Sequence, residues 1–155
     1  MELSTVSIAI PEGCNVILGQ THFIKTAEDL YEIVAGAVPG AKFGIAFTEA
    51  SGPCLIRTEG NDEALVTAAA SSLQAIGAGH VFCIFLKNAF PINILNQVKN
   101  CPEVCRIFCA TANPLEVVVA SGADGKGVLG VIDGSSPRGV ETAADRQQRP
   151  SCSSA

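Results

Sequence analysis

The chain has 155 residues, of which 48% are hydrophobic and 16% charged, with a formal net charge of −5. This length and apolar content fit one domain with its own core, and they exclude a disordered chain. The acidic balance, with Lys and Arg scattered, excludes the basic footprint that nucleic-acid or membrane-surface binding requires. The start, Met1-Glu2-Leu3-Ser4-Thr5, lacks the basic-then-apolar pattern of a signal peptide. Each apolar run is broken well short of the roughly 20 residues of a membrane helix. A cytoplasmic protein is therefore expected, and its surplus of apolar surface points to a homo-oligomer.

In chain order, Thr5 to Ile10 alternates as a strand, and Pro11-Glu12-Gly13 turns into a second strand, Asn15 to Gly19. Thr26 is expected to cap a first helix whose stripe is Leu30, Ile33, Val34 and Ala37, ended by Pro39-Gly40. Lys42 to Glu49 reads as a strand, Ser51-Gly52-Pro53 as a tight turn, and Cys54 to Thr58 as the next strand. Asn61 is expected to cap a second helix, with Asp62 and Glu63 favouring its first turn and Leu65, Ala69, Leu73 and Ile76 buried. Gly77 and Gly79 bracket its end. His80 to Leu86 is apolar almost throughout, as a strand covered on both faces would be.

A third helix is expected from Pro91 to Asn100, followed by strands Cys105 to Ala110, Leu115 to Ala120 and Val128 to Asp133. The pattern implies a single α/β domain over residues 1–140, a mixed sheet with about three helices packed on it. Residues 141–155 are polar and without periodicity, and they read as a disordered tail.

Cys101, Cys105 and Cys109 recur every four residues, but Pro102 interrupts the helix that would align them as metal ligands. Cys105 to Cys109 reads instead as a strand with Cys105, Ile107 and Cys109 on one face. Among the seven cysteines no Cys-x-x-Cys pair occurs, so buried thiols are expected and no metal site is assigned.

Gly125-Lys126-Gly127-Val128-Leu129-Gly130 matches G-x-G-x-x-G, yet a strand rather than a helix follows it, so it reads as a hairpin turn. No Walker A sequence is present. The segment Gly19 to Thr26 joins a strand end to a helix N-terminus, where N–H groups attract anions. It places His22 and Lys25 together, a pair suited to holding or accepting a phosphoryl group. A hydrogen-bonded histidine beside a solvated lysine is the plainer reading of the same residues.

His80 is the other histidine. Glu49 and Ser51 close a strand and could grip ribose hydroxyls, or simply form a hairpin turn. Asn93, Asn96 and Asn100 share one helix side and could read a base edge, or form a solvated face. Asn113 precedes Pro114 in a turn. Asp133 to Gly139 gathers a carboxylate, the hydroxyls of Ser135 and Ser136, and Arg138, as a phosphate or magnesium loop or a plain terminal turn would.

Read together, several of these stretches resemble the adenosine-specific kinase family of small archaeal and bacterial proteins. They are Gly19 to Thr26, Phe43 to Pro53, Gly60 to Glu63, Ile76 to His80, Ala89 to Asn93, Pro102 to Arg106, Ala110 to Pro114 and Gly127 to Val140. The resemblance covers nearly everything before Glu141. It implies binding of adenosine or AMP, with phosphoryl transfer at a histidine. His22 takes that role, with His80 as a second match, and Lys25, Glu49, Asn93, Asn113, Asp133 and Ser136 are the substrate-binding candidates.

Phosphoryl transfer makes Mg²⁺ a candidate ion, with no cofactor otherwise indicated. The alternative to an enzyme is an oligomer that senses or sequesters adenosine or AMP without chemistry. Where relatives end in a charged helical segment, this tail is rich in Ser and Gln.

Overall fold

Two interleaved strand–helix–strand crossovers organise the computed structural model, which describes residues 1–149. The first strands and helix are β1 (Glu2–Ile8), β2 (Cys14–Thr21), α1 (Thr26–Ala37), β3 (Lys42–Thr48) and β4 (Ile56–Gly60). Then come α2 (Glu63–Ile76), β5 (Val81–Lys87), a 3₁₀ turn at Pro91–Asn93 and α3 (Leu95–Lys99). The chain continues through β6 (Val104–Thr111), β7 (Leu115–Ser121), β8 (Lys126–Asp133) and a short α4 (Ala143–Gln147).

Five strands form one sheet in the order β4-β3-β5-β2-β6, and three form a second in the order β1-β7-β8. The α/β class expected from the sequence is the one found, while the sheet of mixed direction is replaced by two sheets whose pairings are all antiparallel. The reason lies in the crossovers. β2 and β3, joined by α1, run the same way, but β5 lies between them. β4 and β5, joined by α2, are separated by β3 in the same manner. Strand and helix patterns reveal that two strands share a direction, but not that a third inserts between them.

Each face of the five-stranded sheet has its own core. On one face Ile17, Phe43, Ile45, Phe82, Ile84 and Leu86 pack with Leu30 and Val34 of α1 and Val98 of α3. On the other, Val16, Leu18, Ala46, Cys83 and Phe85 meet Leu65, Ala69, Leu73 and Ile76 of α2, together with Val117 and Val119 of β7. The two-residue period of β2 thus divides its side chains between two apolar layers. Its burial on both sides explains the unbroken run Val16-Ile17-Leu18.

The register of β6 breaks the expected alternation of its cysteines. Leu18 faces Cys109 while Gly19 faces Ile107, which leaves Phe108 as an extra residue. This bulge sends Cys109 to one core and Ile107 to the other, and Cys105 is exposed.

Helix ends also differ in detail from the sequence expectation. Asp62, not Asn61, caps α2, accepting from the Leu65 N–H at 3.1 Å. Asn61 instead ties the helix to β3, accepting from Phe43 N–H and donating to Ala41 C=O, each at 2.9 Å. Lys25 rather than Thr26 occupies the cap position of α1. The third helix is interrupted at Ile94, so only Leu95–Lys99 is α-helical. Of the tail expected to be disordered, Ala143–Gln147 forms α4, and residues 150–155 lie outside the described residues.

Candidate functional site

The C-terminal end of α2 forms one wall of a cavity of about 840 Å³. Gly77 ends the helix in the left-handed region at φ 70°, its N–H donating to Leu73 C=O. Three residues later His80 also has positive φ, 58°. That conformation is uncommon outside glycine, and here neighbouring strands hold it on both sides. The His80 N–H donates to Thr48 C=O at 2.8 Å, and its carbonyl accepts from Thr21 N–H at 3.0 Å. The Thr48 hydroxyl bonds Ala78 C=O at 2.8 Å and accepts from Val81 N–H at 3.0 Å, securing the same segment. The His80 ring stacks on buried Phe47 at 6.0 Å and 23°.

The β7–β8 turn adds Asp124, Gly125 and Lys126 to the same lining. Ser121 pairs with Lys126, so the glycine-rich motif forms a hairpin, as its sequence context indicates. The Lys126 ammonium lies over the end of α2, where a Cβ placed on Gly77 would be 3.6 Å from Nζ. The last turn of α2 has no basic residue of its own, so Lys126 brings positive charge to its carbonyl end.

Gln20 and Glu49 complete the polar lining. The Glu49 carboxylate accepts from Leu55 N–H at 2.8 Å and Arg57 Nε at 2.9 Å. Those donors, the Leu55 amide first, hold its pKa below the usual carboxylate range.

His22 and Lys25 lie at the same end of β2, outside this cavity. His22 is exposed, and its N–H donates to Glu103 C=O at 3.2 Å. Lys25 pairs with Asp29 at 2.6 Å, one turn along α1. The N–H groups of Thr26, Ala27 and Asp29 are bonded to the carbonyls of Phe23, Ile24 and Lys25. Of the two readings that the sequence left open here, an anion cradle or a plain helix start, the bonds of Thr26 and Ala27 to the preceding turn favour the second.

The other candidates cluster at the opposite end of β2. Asn113 Nδ2 donates to Asp133 Oδ1 at 3.1 Å, and the Thr111 hydroxyl donates to the same oxygen at 2.8 Å. Asn93 accepts from Phe90 N–H at 2.8 Å. Ser136 is exposed in the segment after β8. Asn113 borders a second cavity, of about 620 Å³, which Asn15 also lines. Asn15 and Gln20 belong to different cavities, roughly 17 Å apart along the strand at ~3.4 Å per residue. The candidates form two groups instead of the single cleft expected from the sequence.

Beside α1, donor atoms of Asp29, Cys101 and Glu103 lie within 4.8 Å of one another. The Cys101 thiol donates to Glu103 at 2.9 Å, and burial pushes its pKa up to about 11.

Sequence reasoning overlooked Gln20, Thr48, Asp124 and Asn15 as lining or positioning residues. The two-residue alternation from Leu18 is a signal for Gln20. Nothing local indicates that the Asp124 turn reaches α2.

The family model described as "Adenosine specific kinase" matches residues 6–153. The chain belongs to the adenosine-specific kinase family. No curated protein matches its sequence. Among solved structures, the PH1918 protein from Pyrococcus horikoshii OT3 is 46% identical with a TM-score of 0.92. That match covers 95% of this chain and 91% of the other. Family membership covers all the segments gathered at the His80 cavity, and no helix among the described residues is long and apolar enough to cross a membrane.

Proposed function

We propose that the chain binds adenosine or AMP in the cavity at the end of α2, and that a histidine there accepts and passes on a phosphoryl group. Family membership supports the nucleoside, and the geometry around His80 supports the chemistry. The observation that carries the assignment is the fixing of the His80 backbone between Thr48 and Thr21, in the lining of the cavity that Lys126 also lines. His22, the first choice from sequence, is exposed outside the cavity and serves as the comparison residue.

In this reading a phosphoester donor transfers its phosphoryl group to an imidazole nitrogen. The N–P bond forms as the donor P–O bond breaks, and the donor oxygen leaves with the imidazole proton. The adenosine 5′-hydroxyl then attacks phosphorus, the N–P bond breaks, and the hydroxyl proton returns to the imidazole. Lys126 offsets charge on the transferring group. Asp124 is the wall carboxylate suited to a Mg²⁺ ion accompanying a phosphate, since Glu49 is engaged by Leu55 and Arg57. Such an ion would neutralise phosphate charge.

The six described cysteines are all unpaired, which supports a reducing, cytoplasmic setting. Exposed Phe23, Ile24, Leu129 and Ile132 support self-association.

AMP labelled in its phosphate tests the chemistry by running the second step in reverse. Wild type and His22→Asn should acquire acid-labile label and release adenosine, while His80→Asn should not. Undiminished labelling of His80→Asn would reject its role, and loss in His22→Asn alone would move the assignment there. Saturable AMP binding without label in any variant would favour the non-catalytic sensor.

A further inference from the structure

We infer that Asp29, Cys101 and Glu103 form a site for a thiophilic divalent cation of the Zn²⁺ class, which ties the start of α1 to the turn entering β6. Their donor atoms, one sulfur and two carboxylate oxygens, lie within 4.8 Å of one another. Ligands around a tetrahedral Zn²⁺ sit roughly 3.3–3.8 Å apart, so adjustments of about 1 Å bring all three to one ion. The thiol selects among cations. Mg²⁺ and Ca²⁺ take oxygen ligands, whereas Zn²⁺ accepts sulfur and carboxylate together.

Glu103 supplies the observation that points to a cation. It is 6% exposed, and among the described residues no Lys, Arg or His forms an ion pair with it. Its carboxylate faces the Cys101 thiol, itself 4% exposed, at 2.9 Å. A buried carboxylate without compensating positive charge is costly. The cation that reaches the cluster is Lys25, whose side chain is 56% exposed and which pairs with Asp29 at 2.6 Å. Two carboxyl groups and a thiol thus stand against one exposed ammonium, and the deficit falls at the buried end. A divalent ion between the three side chains removes that deficit, with the thiol proton released to solvent.

Backbone contacts hold the ligands without using their side chains. The Val104 N–H closes a turn onto Cys101 C=O at 3.0 Å, and Pro102 restricts the backbone inside it. The Glu103 carbonyl accepts from the Thr21 hydroxyl at 2.9 Å and from His22 N–H at 3.2 Å, which fixes this turn on the end of β2. Asp29 comes from the first turn of α1. Asp29 and Cys101 also line a cavity of about 370 Å³, together with Glu32, Gln97 and Asn100. That opening gives an ion an entry path and leaves a fourth position for water or for the Glu32 carboxylate.

The site shares no residue with the His80 cavity. Co²⁺, which substitutes for Zn²⁺ and reports thiolate ligation by its absorption, tests it directly. Chelator-treated, reduced wild type, Cys101→Ala, Glu103→Gln, Asp29→Asn, Cys105→Ser and His80→Asn proteins are titrated with Co²⁺ and then Zn²⁺, with folding checked by circular dichroism. Wild type, Cys105→Ser and His80→Asn should each take up one Co²⁺ per chain, with a thiolate-to-cobalt charge-transfer band that Zn²⁺ abolishes. The band should vanish in Cys101→Ala, and affinity should fall ten-fold or more in Glu103→Gln and Asp29→Asn. Asp29→Asn, at a half-buried position, keeps the test valid should Glu103→Gln unfold. Zn²⁺ should also raise the melting temperature of wild type but not of Cys101→Ala. Absence of the band at millimolar Co²⁺ would overturn the inference and leave a proton-sharing cluster only. So would a band that persists in folded Cys101→Ala, or wild-type affinity in both carboxamide variants.

Discussion

The cysteines of this chain differ sharply in environment, and their reactivity should follow. Burial pushes the Cys109 thiol up to about 11, as it does Cys101, and raises that of Cys83 further still. Thiolate is the reacting species, so at pH 8 iodoacetamide should modify exposed Cys54 and Cys105 while Cys83, Cys101 and Cys109 react only after denaturation. Peptide mass spectrometry checks this; rapid labelling of Cys83 in folded protein would contradict it. Glu49 gives a pH prediction. Its folded pKa is depressed, so its contribution to stability is fully present above the unfolded carboxylate value and is lost as pH falls through the folded value. Glu49→Gln should melt below wild type at pH 7, and the gap should close only as pH falls below the usual carboxylate range, through the depressed folded value. A gap that widens in acid would refute the sign. The interactions of Glu49 illustrate the limit of reading residues alone: its carboxylate is evident in sequence, but its engagement with Leu55 and Arg57 depends on the turn conformation.

At the scale of elements, α2 and β3 approach so closely that Gly44 has no room for a side chain. A Cβ there would collide with the Leu65 and Val66 backbone. Backbone cannot move aside as a side chain can, so Gly44→Ala should cost about 3 kcal/mol, near the upper end for overpacking, measured by denaturant unfolding. Removing the α2 cap through Asp62→Ala should cost about 1 kcal/mol by the same measurement. Helix α2 was legible in the sequence, because Leu65, Ala69, Leu73 and Ile76 repeat at helical spacing and become the buried stripe, whereas α4 falls in residues that carry no such period. The central strand was legible from its apolar run. The sequence left open which of two adjacent polar residues, Asn61 or Asp62, would cap, since both side chains can. It also concealed Cys54 and His80 as left-handed residues, because few residues other than glycine adopt positive φ and the hydrogen bonds that hold His80 there come from distant strands. His80 consequently begins no strand: β5 starts at Val81.

For the whole molecule, the two cavities lie at opposite ends of one strand, each assembled from segments far apart in sequence. That is why the loops with candidate chemistry could be found one by one, while their division into two groups could not. Thr111, Asn113 and Asp133 meet only through the β6–β7–β8 connections, and His80 and Lys126 line one cavity only because a hairpin folds over a helix end. The interleaving of the main sheet has a consequence for any attempt to split the protein. A cut between β4 and α2 would leave one piece with β4, β3 and β2 and the other with β5 and β6, each lacking the strands that sit between its own. Co-expressed, the two fragments should rebuild the sheet by mutual complementation. Expressed singly, each would present open gaps that only its counterpart fits.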